Sequence, residues 1–139
     1  MSPTVCMPDV GVMPMRILVA DSQSKVRHAL CVLLRQQPGL EIVGEAASAL
    51  ELLTQTEECC PNLILLHWRL RDLTASDLLP ALRKKCPGFR LIVLSARREA
   101  CQAALDAGAD AFVCKMDPPD RLLAAVQAIQ QAEVACVTG

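Results

Sequence analysis

Five short apolar runs, each followed by helical periodicity, constrain the fold of this chain more than any other feature. RILVA (16–20), LEIVGEA (40–46), NLILLH (62–67), RLIVLS (90–95) and AFVCK (111–115) are leucine-rich or β-branched segments of strand length. After the first, Val26, Leu30, Leu33 and Leu34 recur at helical spacing, and Pro38-Gly39 stops the pattern. Ser48 to Glu51 has the S-x-x-E form of a capping box and opens a second helix, which ends before Cys60-Pro61. Thr74-Ala-Ser-Asp77 caps a third helix that stops near Cys86-Pro87-Gly88. A fourth runs from Glu99 to Ala107, with Gly108 as its terminator. Asp117-Pro118 reads as an N-cap with proline at the first helical position, leading Leu122, Leu123, Val126 and Ile129.

The alternation predicts an α/β fold, (βα)5, with a doubly wound parallel sheet, helices on both faces and right-handed crossovers. The flavodoxin-like strand order 2-1-3-4-5 is the expected one, although periodicity alone does not fix it. Residues 16–131 form the domain, with a loose extension over 1–15 and a tail or linker start over 132–139. The extension lacks the basic start and apolar core of a signal peptide, and Met15 stands immediately before the first strand.

Composition narrows the function classes. The chain is 53% hydrophobic, as strands covered on both faces require, yet no apolar stretch approaches the ~20 residues of a membrane span. A cytoplasmic protein is expected. The net charge of −1 offers no electrostatic footprint for nucleic acid, and Trp68, Phe89 and Phe112 are too few for a base-stacking platform. The eight cysteines form no C-x-x-C pair and show no zinc spacing. They read as small buried hydrophobes in the reduced state, with Cys59 and Cys60 the one suggestive redox pair.

The chemistry-bearing residues gather at one end. Asp21, His67, Ser95 and Lys115 each close a strand run, and the carboxyl ends of strands in an open parallel sheet form the crevice where such folds bind ligands. Together with EIVGEA and AGADAFVCK, these residues resemble the receiver domains of LuxR-type response regulators, across about 16–131.

The resemblance implies a pocket with two adjacent acids after strand one, an aspartate ending strand three, a hydroxyl ending strand four and a lysine ending strand five. The acids hold Mg²⁺, the aspartate takes a phosphoryl group, and the hydroxyl and lysine bind its oxygens. Asp21 matches the first acid, Ser95 the hydroxyl, Lys115 the lysine and Phe112 the switch aromatic. Ser22 replaces the second acid and His67 the phosphoacceptor; Arg71 stands at a usual proline and Ala75 at a usual glycine. Trp68 and Arg69 belong to the pocket rim. Mg²⁺ needs hard oxygen ligands, so no metal, no cofactor and no catalysis are expected, and the aspartyl-phosphate route lacks its nucleophile.

The reading that follows is an aspartate-less receiver that is not an enzyme and signals by dimerisation or partner docking in transcription control. The fourth helix, fifth strand and fifth helix make the docking face. DNA would be reached only through an output domain that these residues do not include. In the pocket, His67 is expected to be oriented by Asp21. Two alternatives stay open: a small-molecule or pH-sensing module using His67, Asp21 and Lys115, and, with less support, phosphorylation of His67 itself.

Overall fold

Leu63, Ile64, Leu65 and Leu66 are all fully buried, and a strand apolar on both faces belongs in the middle of a sheet covered on both sides. It is β3 (Leu63–His67), flanked in parallel by β1 (Met15–Ala20) and β6 (Arg90–Ser95). β2 (Leu40–Ala46) and β7 (Ala111–Cys114) form the edges, giving the order β2-β1-β3-β6-β7. Counting only these five strands, that is the expected 2-1-3-4-5. The computed structural model describes residues 14–71 and 73–138, with side chains to residue 132.

Five helices close the two faces: α1 (Ser24–Arg35), α2 (Ala49–Cys59), α3 (Ala75–Lys85), α4 (Ala100–Ala107) and α5 (Pro119–Thr138). Alternate residues of each strand point to opposite faces, so the core has two halves. Leu18, Ile64, Leu66, Leu91 and Val93 meet Leu52, Leu78, Leu82 and Ala104 of α2, α3 and α4. Ile17, Val19, Leu63, Leu65 and Ile92 meet Cys31 and Leu34 of α1 and Leu122, Val126 and Ile129 of α5. The apolar stripe of α5 is therefore spent on the sheet.

Helix ends follow local chemistry. Ser48 Oγ accepts from the Glu51 amide at 3.2 Å, and Glu51 reaches back to the Ala47 amide at 2.7 Å. Thr74 and Asp77 form a complete capping box on α3. Gly108 ends α4 at φ 114°, a left-handed conformation open to glycine.

Two expectations are corrected, the start of α5 and the place of Met15. Helix α5 begins at Pro119, one residue later than the sequence suggested, and the Asp117 carboxylate is drawn to Arg98 at 2.6 Å. The backbone of α5 is helical to Thr138, across residues read from the sequence as a tail or linker start. Met15 belongs to β1 and is buried; the remaining extension, apart from Pro14, lies outside the described residues.

The cysteine expectation also fails in part. Cys60 and Cys86 are joined in a disulfide, so these two are neither reduced nor simple core fillers. Each follows the last residue of a helix, α2 or α3, and precedes a proline. Consecutive βα units bring both helix ends to the same rim of the sheet, 5.5 Å apart between Cα atoms. Cys31, Cys59, Cys101 and Cys114 are free thiols. Burial first, and then the neighbouring Glu45 carboxylate, pushes the Cys31 thiol up to about 11, which leaves it protonated and inert.

Candidate functional site

The parallel sheet places the ends of β1, β3, β6 and β7 side by side, and each contributes one of the four polar residues. Asp21, just past β1, is 1% exposed. Its Oδ1 accepts from the Gln23 amide at 2.9 Å, which turns the chain into α1. Its Oδ2 accepts from Lys115 Nζ at 2.6 Å. Lys115 leaves β7 with its amide bonded to the Ser95 carbonyl at 2.9 Å, and its side chain crosses the ends of β6 and β3 to reach Asp21. Both carboxylate oxygens are thus occupied by donors from the chain itself.

Ser95, buried at the end of β6, accepts from the Arg97 amide at 3.1 Å, which leaves its hydroxyl hydrogen to donate elsewhere. Ser22 is half-buried beside Asp21. Phe112, in β7 opposite Val93, is half-buried against the core half formed by α2, α3 and α4.

His67 corrects the expected pairing with Asp21. Its Nδ1 lies 2.7 Å from the Arg69 carbonyl. A carbonyl can only accept, so Nδ1 carries the proton, and in the neutral ring Nε2 keeps its lone pair. The imidazole is oriented by its own loop, two residues on, and Asp21 belongs to Lys115.

The loop itself departs from a plain strand-to-helix turn. Residues Arg69–Leu70 (β4) pair antiparallel with Leu73–Thr74 (β5) in a small hairpin. Arg71 adopts φ 59° at the turn, a conformation that a proline ring cannot reach. The half-buried Trp68 packs on the core half of α2, α3 and α4, and its amide and carbonyl bond Leu94 and Ala75. Arg69, Arg71, Arg97 and Arg98 are exposed on the surrounding loops. Of these, Arg98 braces the β6–α4 loop to the β7–α5 loop through Asp117, a pairing without a sequence signal beyond two opposite charges near strand ends.

Two surface grooves run between helices, and the second reaches the strand ends. One, of about 330 Å³, lies between α3 and α4. The other, of about 450 Å³, runs between α1 and the start of α5, walled by Val26, Leu30, Leu33 and Leu122 and bounded by Lys115 and Asp117.

These contacts decide what the site can hold. Mg²⁺ demands hard oxygen donors in octahedral geometry and gives up its waters reluctantly. Asp21 is the one carboxylate among the four residues and is already paired with Lys115, and Ser22 and His67 add a neutral hydroxyl and an imidazole. The donor set does not fit the ion that the family resemblance implies.

Residues 17–127 match the family model of the response regulator receiver domain. The chain is 28% identical over 123 residues to the response regulator protein VraR of Staphylococcus aureus strain Mu3, covering 87% of this chain and 59% of that protein. It therefore spans about three-fifths of the length of such relatives. Among solved structures, a LuxR-family two-component response regulator from Aurantimonas sp. SI85-9A1 superposes with a TM-score of 0.79 at 25% identity, covering 86% of each chain. A CheY-like receiver domain protein from Methanospirillum hungatei JF-1 superposes at 0.75 with 28% identity, over 88% of this chain and 98% of that one.

Proposed function

Because the chain belongs to the response regulator receiver domain family, we propose that it is an aspartate-less member whose signal does not pass through an aspartyl phosphate. It is a docking module rather than an enzyme, acting as a homodimer or on a protein partner through α4, β7 and α5, in the cytoplasm and in transcription control. Any contact with DNA would belong to an output domain of the whole protein.

The Lys115–Asp21 ion pair carries this reading. In the pocket that the resemblance describes, the lysine waits for a phosphoryl oxygen and the acid for a cation. Here each neutralises the other at 2.6 Å, and the position expected to hold the nucleophilic carboxylate offers an imidazole tied to the Arg69 carbonyl. The pocket is held in one electrostatic state without a ligand, which suits a module whose docking surface is permanently set.

The test is treatment with acetyl phosphate, followed by intact-mass analysis. The wild-type chain should take up no phosphoryl group, and the double variant Ser22→Asp with His67→Asp should take one at residue 67. Labelling of the wild type on His67 would replace this reading with a histidine phosphoacceptor.

One observation favours a second reading, a small-molecule sensor. The groove between α1 and α5 is largely apolar, falls in the volume range of ligand sites and ends at Lys115. A thermal-shift screen against small organic anions separates the two readings. A saturable stabilisation lost in Lys115→Met supports the sensor.

A further inference from the structure

We propose that Cys60 is a site of reversible modification by small thiols of the glutathione class, with Cys86 as the leaving thiol and the α2–α3 seam as the element it locks. The reading rests on the proposed cytoplasmic role in one respect. In a reducing compartment, a disulfide in a folded domain is more often transient and redox-responsive than structural.

The two sulfurs are not equivalent. Cys60 is exposed, whereas Cys86 is 4% exposed beneath the end of α3. An incoming thiolate therefore meets the bond from the Cys60 side. Attack there forms a new S–S bond between Cys60 and the incoming sulfur and breaks the Cys60–Cys86 bond. Cys86 departs with the electron pair and takes a proton, becoming a thiol. A second thiolate then attacks the outer sulfur, releases the small disulfide and leaves Cys60 as a thiol, so the pair is reduced by two electrons supplied by two thiols. The reverse sequence, driven by the small disulfide, restores the bond.

The surroundings favour exchange at this position. Arg16 donates to the Cys59 and Cys60 carbonyls, and Lys84 and Lys85 lie in the last turn of α3. Glu57 takes up Lys85 at 3.2 Å, and Glu58 sits in the same turn of α2, so the excess positive charge is modest. Cys60 also holds a left-handed backbone at φ 43°, uncommon for a residue with a side chain. The bond ties the far end of α3, whose near end carries the Thr74 cap and the Trp68–Ala75 hydrogen bond of the His67 loop.

The experiment equilibrates the purified full chain with graded ratios of reduced to oxidised glutathione, quenches with acid, alkylates and maps the peptides. The Cys60–Cys86 peptide pair should fall smoothly as reduced glutathione rises, with glutathione found on Cys60 and none on Cys86. Cys86→Ser should raise the Cys60 adduct several-fold, and Cys59→Ser should leave the wild-type pattern intact. A bond that forms but opens only in denaturant overturns the proposal, as does adduct on Cys86 or Cys59. Cysteines 60 and 86 fully alkylated under oxidising conditions overturn it too. The mapping on wild-type protein stands even if a variant does not fold. Acetyl phosphate treatment of the same preparation reports on the aspartate-less reading independently.

Discussion

At the scale of single residues, the decisive contacts join positions far apart in the chain or two residues apart, and sequence treats these differently. That Asp21 and Lys115 share one end of the sheet was legible, since both close apolar runs; that they bond each other at 2.6 Å was not. The His67–Arg69 contact was invisible, because a loop carbonyl leaves no mark on residue identity. A consequence follows for restoring phosphorylation. His67→Asp alone supplies a nucleophile, yet Asp21 remains closed by Lys115 and Ser22 lends no second acid, so labelling should stay far below that of the double variant. Comparable initial labelling rates for the single and double variants would show that the second acid is dispensable. A second residue-scale prediction concerns acid. Hydrogen bonds from the Thr74 amide, and then from its hydroxyl, hold the Asp77 carboxyl below its ordinary 3.8. A carboxyl depressed in the fold stabilises it above the ordinary value, and that contribution fades as pH falls through the folded value. The protection of the first-turn amides of α3, taken relative to their intrinsic exchange rates, should therefore fall as pH drops below the ordinary carboxylate range. Asp77→Asn should abolish this pH dependence, whereas Thr74→Ala, which keeps the backbone amide donor, should weaken it and cost about 1 kcal/mol, as lost N-caps do. An unchanged exchange profile in Thr74→Ala would remove the capping box from the account.

At the scale of elements, strands and helices were legible because burial writes a period into the sequence. Every main strand lies within a residue of its apolar run, and the capping signals at Ser48 and Thr74 fall where α2 and α3 begin. The misreadings have physical causes. Asp117-Pro118 looked like a helix start, but Arg98 competes for the same carboxylate, and Pro119 serves as the first helical residue instead. The two-residue strands after β3 are too short to carry periodicity. The disulfide did leave a trace: Cys-Pro follows the second helix and Cys-Pro follows the third. Equivalent places in successive βα units stand side by side, so the repeated pair marks adjacent helix ends. Counting cysteines by C-x-x-C spacing looks along the chain and misses a contact made across it. Closing a loop of sequence separation 26 restricts the unfolded chain by roughly 3–4 kcal/mol on the chain-entropy estimate. Reduction, or Cys60→Ser with Cys86→Ser, should lower the urea midpoint accordingly. An unchanged midpoint in the double variant would show that the bond adds nothing to stability.

For the whole molecule, the question is which surface the fold leaves for a partner. Leu122, Val126 and Ile129 of α5 are buried against the sheet, so the apolar stripe of this helix is already used. What remains on the outer side of α4, β7 and α5 is mixed: Leu105 is 41% exposed and Met116 74% exposed, beside Gln102, Asp106, Arg121 and Gln127. Exposed apolar side chains also occur elsewhere, at Val32 on α1 and Leu50 on α2, so exposure alone does not single out the face. Its connection to the pocket does. Lys115 leads straight into Met116, and the Arg98–Asp117 brace fixes the two loops at the upper edge of this face. On the proposed reading, Lys115 held by Asp21 leaves those loops in one arrangement without a phosphoryl group. A face with few large apolar anchors and a polar surround makes a modest interface, of the kind that dissociates on dilution. Sedimentation velocity at rising protein concentration should therefore show a monomer–dimer equilibrium in wild type. Leu105→Glu with Met116→Glu should shift it to monomer, since each copy would place like charges at the centre of a two-fold contact. Val32→Glu and Leu50→Glu, made as controls, should leave the equilibrium in place. A wild type that stays monomeric throughout and binds no partner through this face defeats the docking proposal. Dimers abolished by Val32→Glu but not by the α4–β7 pair would move the interface to α1.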